Sequence, residues 1–141
     1  MEQSISATRI RWRRQWHCVL LCLLASADVG LTLNGQPARY WQGEWHVVDE
    51  ANPLGRWLLH VHPLALGLTV LVETALAGIL LVVWPTQRSS RFVVLLAALH
   101  ALGAASWLTR FGPLGCVSAC LLLAVTLHFA GVLWRTDSPL G

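Results

Sequence analysis

"LGLTVLVETALAGILLVVW", from Leu66 to Trp84, is the stretch that decides how this sequence reads. It is almost wholly apolar and long enough to cross a bilayer, whose hydrocarbon core of about 30 Å takes about 20 helical residues. Glu73 stands in its middle. A carboxylate there faces hydrocarbon unless another part of the chain receives it, so the segment raises the question of what lies opposite Glu73.

The composition answers the first half of that question. Of 141 residues, 55% are hydrophobic and 12% charged, and the mean hydropathy is +0.57. A soluble domain carries about twice that charge fraction. The apolar residues also come in blocks too long for a soluble core helix. The expected fold is therefore all-α: one integral membrane domain, a four-helix bundle with an interfacial outer loop between helices 1 and 2. The spans are expected over about residues 17–34, 56–84, 92–109 and 113–134. All ten basic residues are Arg, and they flank the apolar blocks instead of forming a basic stripe, which argues against nucleic acid as a partner.

Charge sets the orientation. With the N-terminus inside, Arg9, Arg11, Arg13, Arg14, Arg88, Arg91 and Arg135 are cytoplasmic, and Arg39, Arg56 and Arg110 are outside. The positive-inside rule thus favours two cytoplasmic termini. Trp12, Trp16, Trp57, Trp84, Trp107 and Trp134 fall near span ends, as an aromatic belt requires. A competing reading treats residues 11–27 as a signal peptide, with Ala25-Ser26-Ala27 as its cleavage site. Against it, the apolar pattern continues past that site through Leu31 and Leu33. The long loop from Asn34 to Arg56 holds Tyr40, Trp41 and Trp45, which suits a segment lying on the interface. Asn52-Pro53 reads as an N-cap followed by proline at N1, and Pro63 is expected to kink the helix that starts there.

Counting at about 1.5 Å per residue puts Glu73 roughly 16 Å from Trp84, Asp28 roughly 18 Å from Trp16 and His100 roughly 14 Å from Arg91. All three therefore fall near mid-bilayer. Each also shares a helical stripe with small residues: Asp28 with Ala25 and Thr32, Glu73 with Thr69 and Ala77, His100 with Ala97, Gly103 and Ala104. Such stripes are where membrane helices approach closely. Asp28, Glu73 and His100 are accordingly expected to form one buried polar cluster holding at most one ion pair, with the remaining acid neutral. Its role is either to lock the helices together or to handle protons, cations or a metal.

A second group, His46, Asp49, Glu50, Arg56, His60 and His62, gathers at the outer mouth. These are competent metal ligands, yet His60 and His62 point apart on a regular helix unless Pro63 distorts the turn. The bland alternative is a capping and salt-bridge cluster at the start of the second span, with Arg56 pairing Asp49 or Glu50. Haem requires two axial histidines at one depth, and His100 and His128 differ by roughly 5 Å. Cys18 and Cys22, like Cys116 and Cys120, are spaced i, i+4 within apolar blocks and read first as packing residues.

Asp28-x-x-x-Thr32 followed by Glu50-Ala51-Asn52-Pro53-Leu54 resembles a group of small prokaryotic multi-span proteins classed as a domain of unknown function. The match covers about residues 28–56. It implies an integral membrane fold of three or four helices in a prokaryotic cytoplasmic (inner) membrane, and no activity. The members carry a basic residue in the second span, where this chain has Glu73. The sequence thus leads to a non-enzymatic subunit or scaffold of a membrane complex, in contact with lipid and with a larger partner or a second copy. The alternative is a proton- or cation-handling protein using Asp28, Glu73 and His100. A third reading is a metal- or haem-bearing redox subunit, although no cofactor is required by the leading one.

Overall fold

The computed structural model describes residues 2–84 and 87–136, with side chains over 15–84 and 87–132. The chain order is α1 (Glu2–Asn34), α2 (Ala38–Trp41), a 3-10 turn (Trp45–Val47), α3 (Pro53–Val61), α4 (Pro63–Val83), α5 (Gln87–Leu108), a second 3-10 turn (Thr109–Phe111) and α6 (Gly112–Thr136). There is no strand among the described residues. Three segments are long and apolar enough to cross a membrane: Gln15–Asn34, Pro63–Val83 and Gln87–Val132. The last, at 46 residues, comprises α5 and α6 with the turn between them.

That turn has a local cause. Gly112 adopts φ 72° and ψ −155°, a conformation almost confined to glycine. Pro113 follows in the first turn of α6, and a Cβ on Gly115 would collide with the Leu108 carbonyl oxygen, so the corner is as tight as glycine permits. Beyond it α6 folds back along α5. Its Leu122 and Leu123 pack against the core.

The second apolar block departs from expectation in a similar way. Pro63 breaks the helix instead of kinking it. His62 is extended (φ −172°, ψ 145°), its Nδ1 accepts the Leu64 N–H at 3.1 Å, and Pro63 occupies the first turn of α4. The expected span over 56–84 is thus two elements, α3 and α4. The start of α3 is as read from sequence, with Asn52 Oδ1 accepting the Leu54 N–H at 3.0 Å.

α5 packs along α1 through small side chains. Ala25, Ala97, Ala101 and Ala104 are all buried. α4 leans on α1 and meets α5 only sparingly, while α6 covers another side of α5. Leu21, Leu24, Ala77, Leu81, Val93, Ala97 and Ala101 form one apolar cluster. Most of it lies one or two turns from Asp28, Glu73 and His100, toward the end where α4 turns into α5. The opposite end carries the long loop, residues 35–62.

α1 runs unbroken through Ala25-Ser26-Ala27, and Ala25 is buried. Trp16, Trp57 and Trp84 are exposed, but Trp107 is 3% exposed and faces the interior, so it does not belong to the aromatic belt. The side chains of Arg9, Arg11, Trp12, Arg13, Arg14, Trp134 and Arg135 lie outside the described residues. Three of the cysteines, Cys22, Cys116 and Cys120, are exposed; only Cys18 packs against the core, so the expected packing role holds for Cys18 alone.

Gly112→Ala places a Cβ in a conformation costing about 1–3 kcal/mol, and denaturation in detergent micelles is expected to show a loss of that size. Gly78→Ala is the matched control, because a Cβ at Gly78 in α4 meets nothing within 4 Å, and it is expected to leave stability unchanged or slightly raised.

Candidate functional site

Asp28 of α1 and His100 of α5 are brought together where these two helices pack along each other. His100 Nδ1 lies 2.8 Å from Asp28 Oδ2. The other ring nitrogen, Nε2, lies 3.5 Å from Glu73 Oε2 of α4, an ion-pair distance at the edge of hydrogen bonding. The imidazole thus stands between two carboxylates from two different helices. What faces Glu73 is His100.

The approach depends on a glycine. A Cβ on Gly103, one turn along α5 from His100, would fall on the Asp28 carboxylate. The missing side chain makes the space in which Asp28 sits. Burial is graded across the three groups: the side chain of His100 is 11% exposed, Asp28 21% and Glu73 34%. Glu73 is therefore the member most open to an incoming ligand.

It opens into a cavity of about 340 Å³. Asp28, Glu73 and His100 line its deep end. Glu50, Asn52, Leu54 and Trp107 line it near the loop, with Thr32, Leu66, Thr69, Val70, Leu96, Leu99 and Ser106 among the walls between. Both short motifs singled out in the sequence, Asp28 with Thr32 and Glu50 with Asn52 and Leu54, therefore contribute to one cavity. One turn from the polar end lie Leu24, Ala77 and Ala97 of the apolar cluster.

The loop that roofs the cavity is fastened by buried polar groups. Gln36 is 6% exposed; its Nε2 donates to the carbonyl oxygens of Thr32 (2.9 Å) and Asp49 (3.0 Å), and its Oε1 accepts the Asp49 N–H (2.9 Å). Tyr40 is fully buried and its hydroxyl donates to the Leu59 carbonyl at 3.0 Å, tying the loop to α3. Burial pushes the Tyr40 phenol above its ordinary pKa. Glu50, 8% exposed, accepts the Asn52 N–H at 2.7 Å and faces Trp107 Nε1 at 3.4 Å.

The six residues expected at the outer mouth do not form one cluster. Asp49 pairs with Arg110 (2.6 Å), whose guanidinium lies 3.8 Å from the Trp107 ring centroid. Arg56 Nε donates to the Glu50 backbone carbonyl at 2.7 Å and not to a carboxylate of Asp49 or Glu50. His46 is exposed, 3.9 Å from Glu44. His60 is exposed on α3, and His62 caps α4 and meets the edge of Trp45. Among the described residues no set of three or more His, Cys, Asp and Glu side chains is arranged to hold a metal ion. His128 is exposed on α6 beside Phe129, whereas both ring nitrogens of His100 face carboxylates.

Trp107, Arg110 and Gln36 hold the loop end of the site, and none of them stands out in the sequence. Trp107 has the position of an interface anchor, near a span end. Its i, i+3 spacing to Arg110 was the available signal, since one helical turn lets the guanidinium fold over the indole.

Gly103→Ala is expected to destabilise the protein by about 1–3 kcal/mol, because the new methyl must displace a well-packed group. The cost is expected to shrink in the Asp28→Ala background, where the obstructing carboxylate is gone. A double-mutant cycle on unfolding in detergent measures that coupling, and additive costs would refute the contact.

Neither protein-family models nor curated proteins nor solved structures give a match to this chain.

Proposed function

We propose that this chain is a membrane protein of four crossings, formed by α1, α4, α5 and α6, that binds a proton or small cation in a cavity extending from mid-helix toward its loop end. Both termini lie on the cytoplasmic side of a prokaryotic inner membrane, where the Arg distribution puts them. One observation carries the functional reading: His100 stands between Asp28 and Glu73 at the deep end of a cavity of about 340 Å³.

The charge count explains why that arrangement asks for a cation. Two carboxylates face at most one imidazolium. In a low dielectric the unmatched charge is costly, so the site takes up a proton or another cation. A cluster serving only to lock helices has no need of a cavity beside its most accessible carboxylate. The apolar cluster behind the trio argues against an open pore. An ion that crosses must wait for the helices to part there, so the site is better suited to gated handling than to passive conduction.

A second reading, a scaffold subunit of a larger membrane complex, is favoured by α6. It leaves Leu114, Val117, Leu121 and Val125 exposed along one stripe, which a partner protein or a second copy of this chain would cover as readily as lipid.

Liposome reconstitution separates the two. Under an imposed pH or cation gradient the cation-handling reading expects flux above that of protein-free vesicles, and Glu73→Gln is expected to lower it about tenfold or more while the fold persists. Flux at background in the wild type, with Glu73→Gln changing only thermal stability, leaves the scaffold reading in place.

A further inference from the structure

The shape of the cavity says more about its ligand than its charge alone. α4 and α5 both pack on α1, yet they meet each other only sparingly, and they are joined at the end remote from the loop. Their loop-side halves therefore diverge over α1 and leave a cleft between them. Leu66 and Val70 of α4 face Leu96 and Leu99 of α5 across the cavity. Leu99 is 55% exposed, so the cleft is open on the side away from α1. In a bilayer that side meets hydrocarbon, not water.

The titratable groups along the cavity are three carboxylates and one imidazole, His100. Asp28, Glu73 and Glu50 contribute carboxylates, and no arginine lines the cavity. The Thr69 hydroxyl donates to the Ala65 carbonyl at 2.8 Å and that of Ser106 to the Gly103 carbonyl at 2.7 Å, so both present only acceptor lone pairs to the cavity. Glu50 is already engaged near the loop; Glu73 is the accessible acid at the deep end. A ligand that suits these walls brings donors and positive charge at one end and an apolar body at the other.

We infer that the cavity binds a lipophilic ammonium compound, an amine carrying an aryl or alkyl body, which enters sideways from the membrane between α4 and α5 and sets its ammonium against Glu73. This rests on the cation-site reading above and adds to it the ligand class and the route. The apolar body lies between the leucines of α4 and α5, and the volume falls in the range of small-molecule pockets. The ammonium supplies the positive charge that His100 alone cannot.

Equilibrium dialysis against nanodiscs tests this with three probes of matched shape: phenylbutylamine, phenylbutanol and phenylbutyrate. Over empty nanodiscs, saturable binding is expected for the amine alone. Glu73→Gln is expected to weaken it by about tenfold to a hundredfold, the worth of one charge-assisted hydrogen bond. Leu99→Trp, which narrows the open side at an exposed position without touching a charge, is expected to weaken it comparably and guards against a Glu73 variant that fails to fold. Equal binding of the alcohol, no saturable binding of the amine, or amine binding indifferent to both substitutions would overturn the inference. If the amine does not bind but Glu73→Gln still removes ion flux from liposomes, the inference falls and the cation site stands; if flux is absent too, both fall.

Discussion

The contact between Asp28 and His100, 2.8 Å across the α1–α5 interface, is the interaction on which the rest of the interior depends. It pairs a carboxylate that would otherwise stand unmatched among apolar helices, and it turns the imidazole so that its second nitrogen faces Glu73. That orientation is enforced sterically as well as electrostatically. Ala25, Ala97, Ala101 and Ala104 let the two backbones come close, and Gly103 leaves the pocket that the carboxylate fills. Larger residues at these positions would separate the helices and strand both charges. In a membrane, where no water is expelled to drive helices together, small residues and a buried polar contact are the forces available.

This arrangement divides the molecule into two unlike halves. Toward the end where α4 stops and α5 begins, leucine, valine and alanine pack between the helices, with His17, Ser89 and Ser90 buried beyond them. Toward the loop, the helices diverge and their facing side chains become carboxylates, hydroxyls and an indole. The polar trio sits at the boundary. A group at such a boundary has packed apolar side chains on one side and a cavity on the other.

Much of this was legible in the sequence, for a definite reason. Helical rise is nearly constant, so counting from the Trp and Arg anchors put Asp28, Glu73 and His100 at one depth, and their small-residue neighbours put them on interior faces. Two of the three pairings that follow are contacts in the fold. The loop was not legible in the same way. Asp49 and Glu50 are adjacent in sequence, yet one pairs with Arg110 and the other turns inward to Trp107, about sixty residues away in the chain. No periodicity encodes a partner at that distance. Pro63 predicts a kink because its sequence effect is to remove one hydrogen bond; the break it makes depends on His62 capping the next helix with its own side chain, which spacing alone does not reveal.

The two ends of the site also constrain each other. Gln36 and Tyr40 fix the loop, and through Asp49 and Glu50 the loop is held against α5 at Arg110 and Trp107. The Cβ position of Gly35 is occupied by the Trp107 ring, so the indole wedges directly beneath the end of α1. α1 and α5 are thereby pinned at the loop end as well as at Asp28 and His100. α4 is different: it follows a break at His62, leans on α1, and meets α5 only sparingly, through the long ion pair from Glu73 and the apolar cluster at Ala77 and Leu81. Of the three long helices that line the cavity, α4 is the one that shares least packing with the other two, and it carries Glu73, the most exposed carboxylate of the trio.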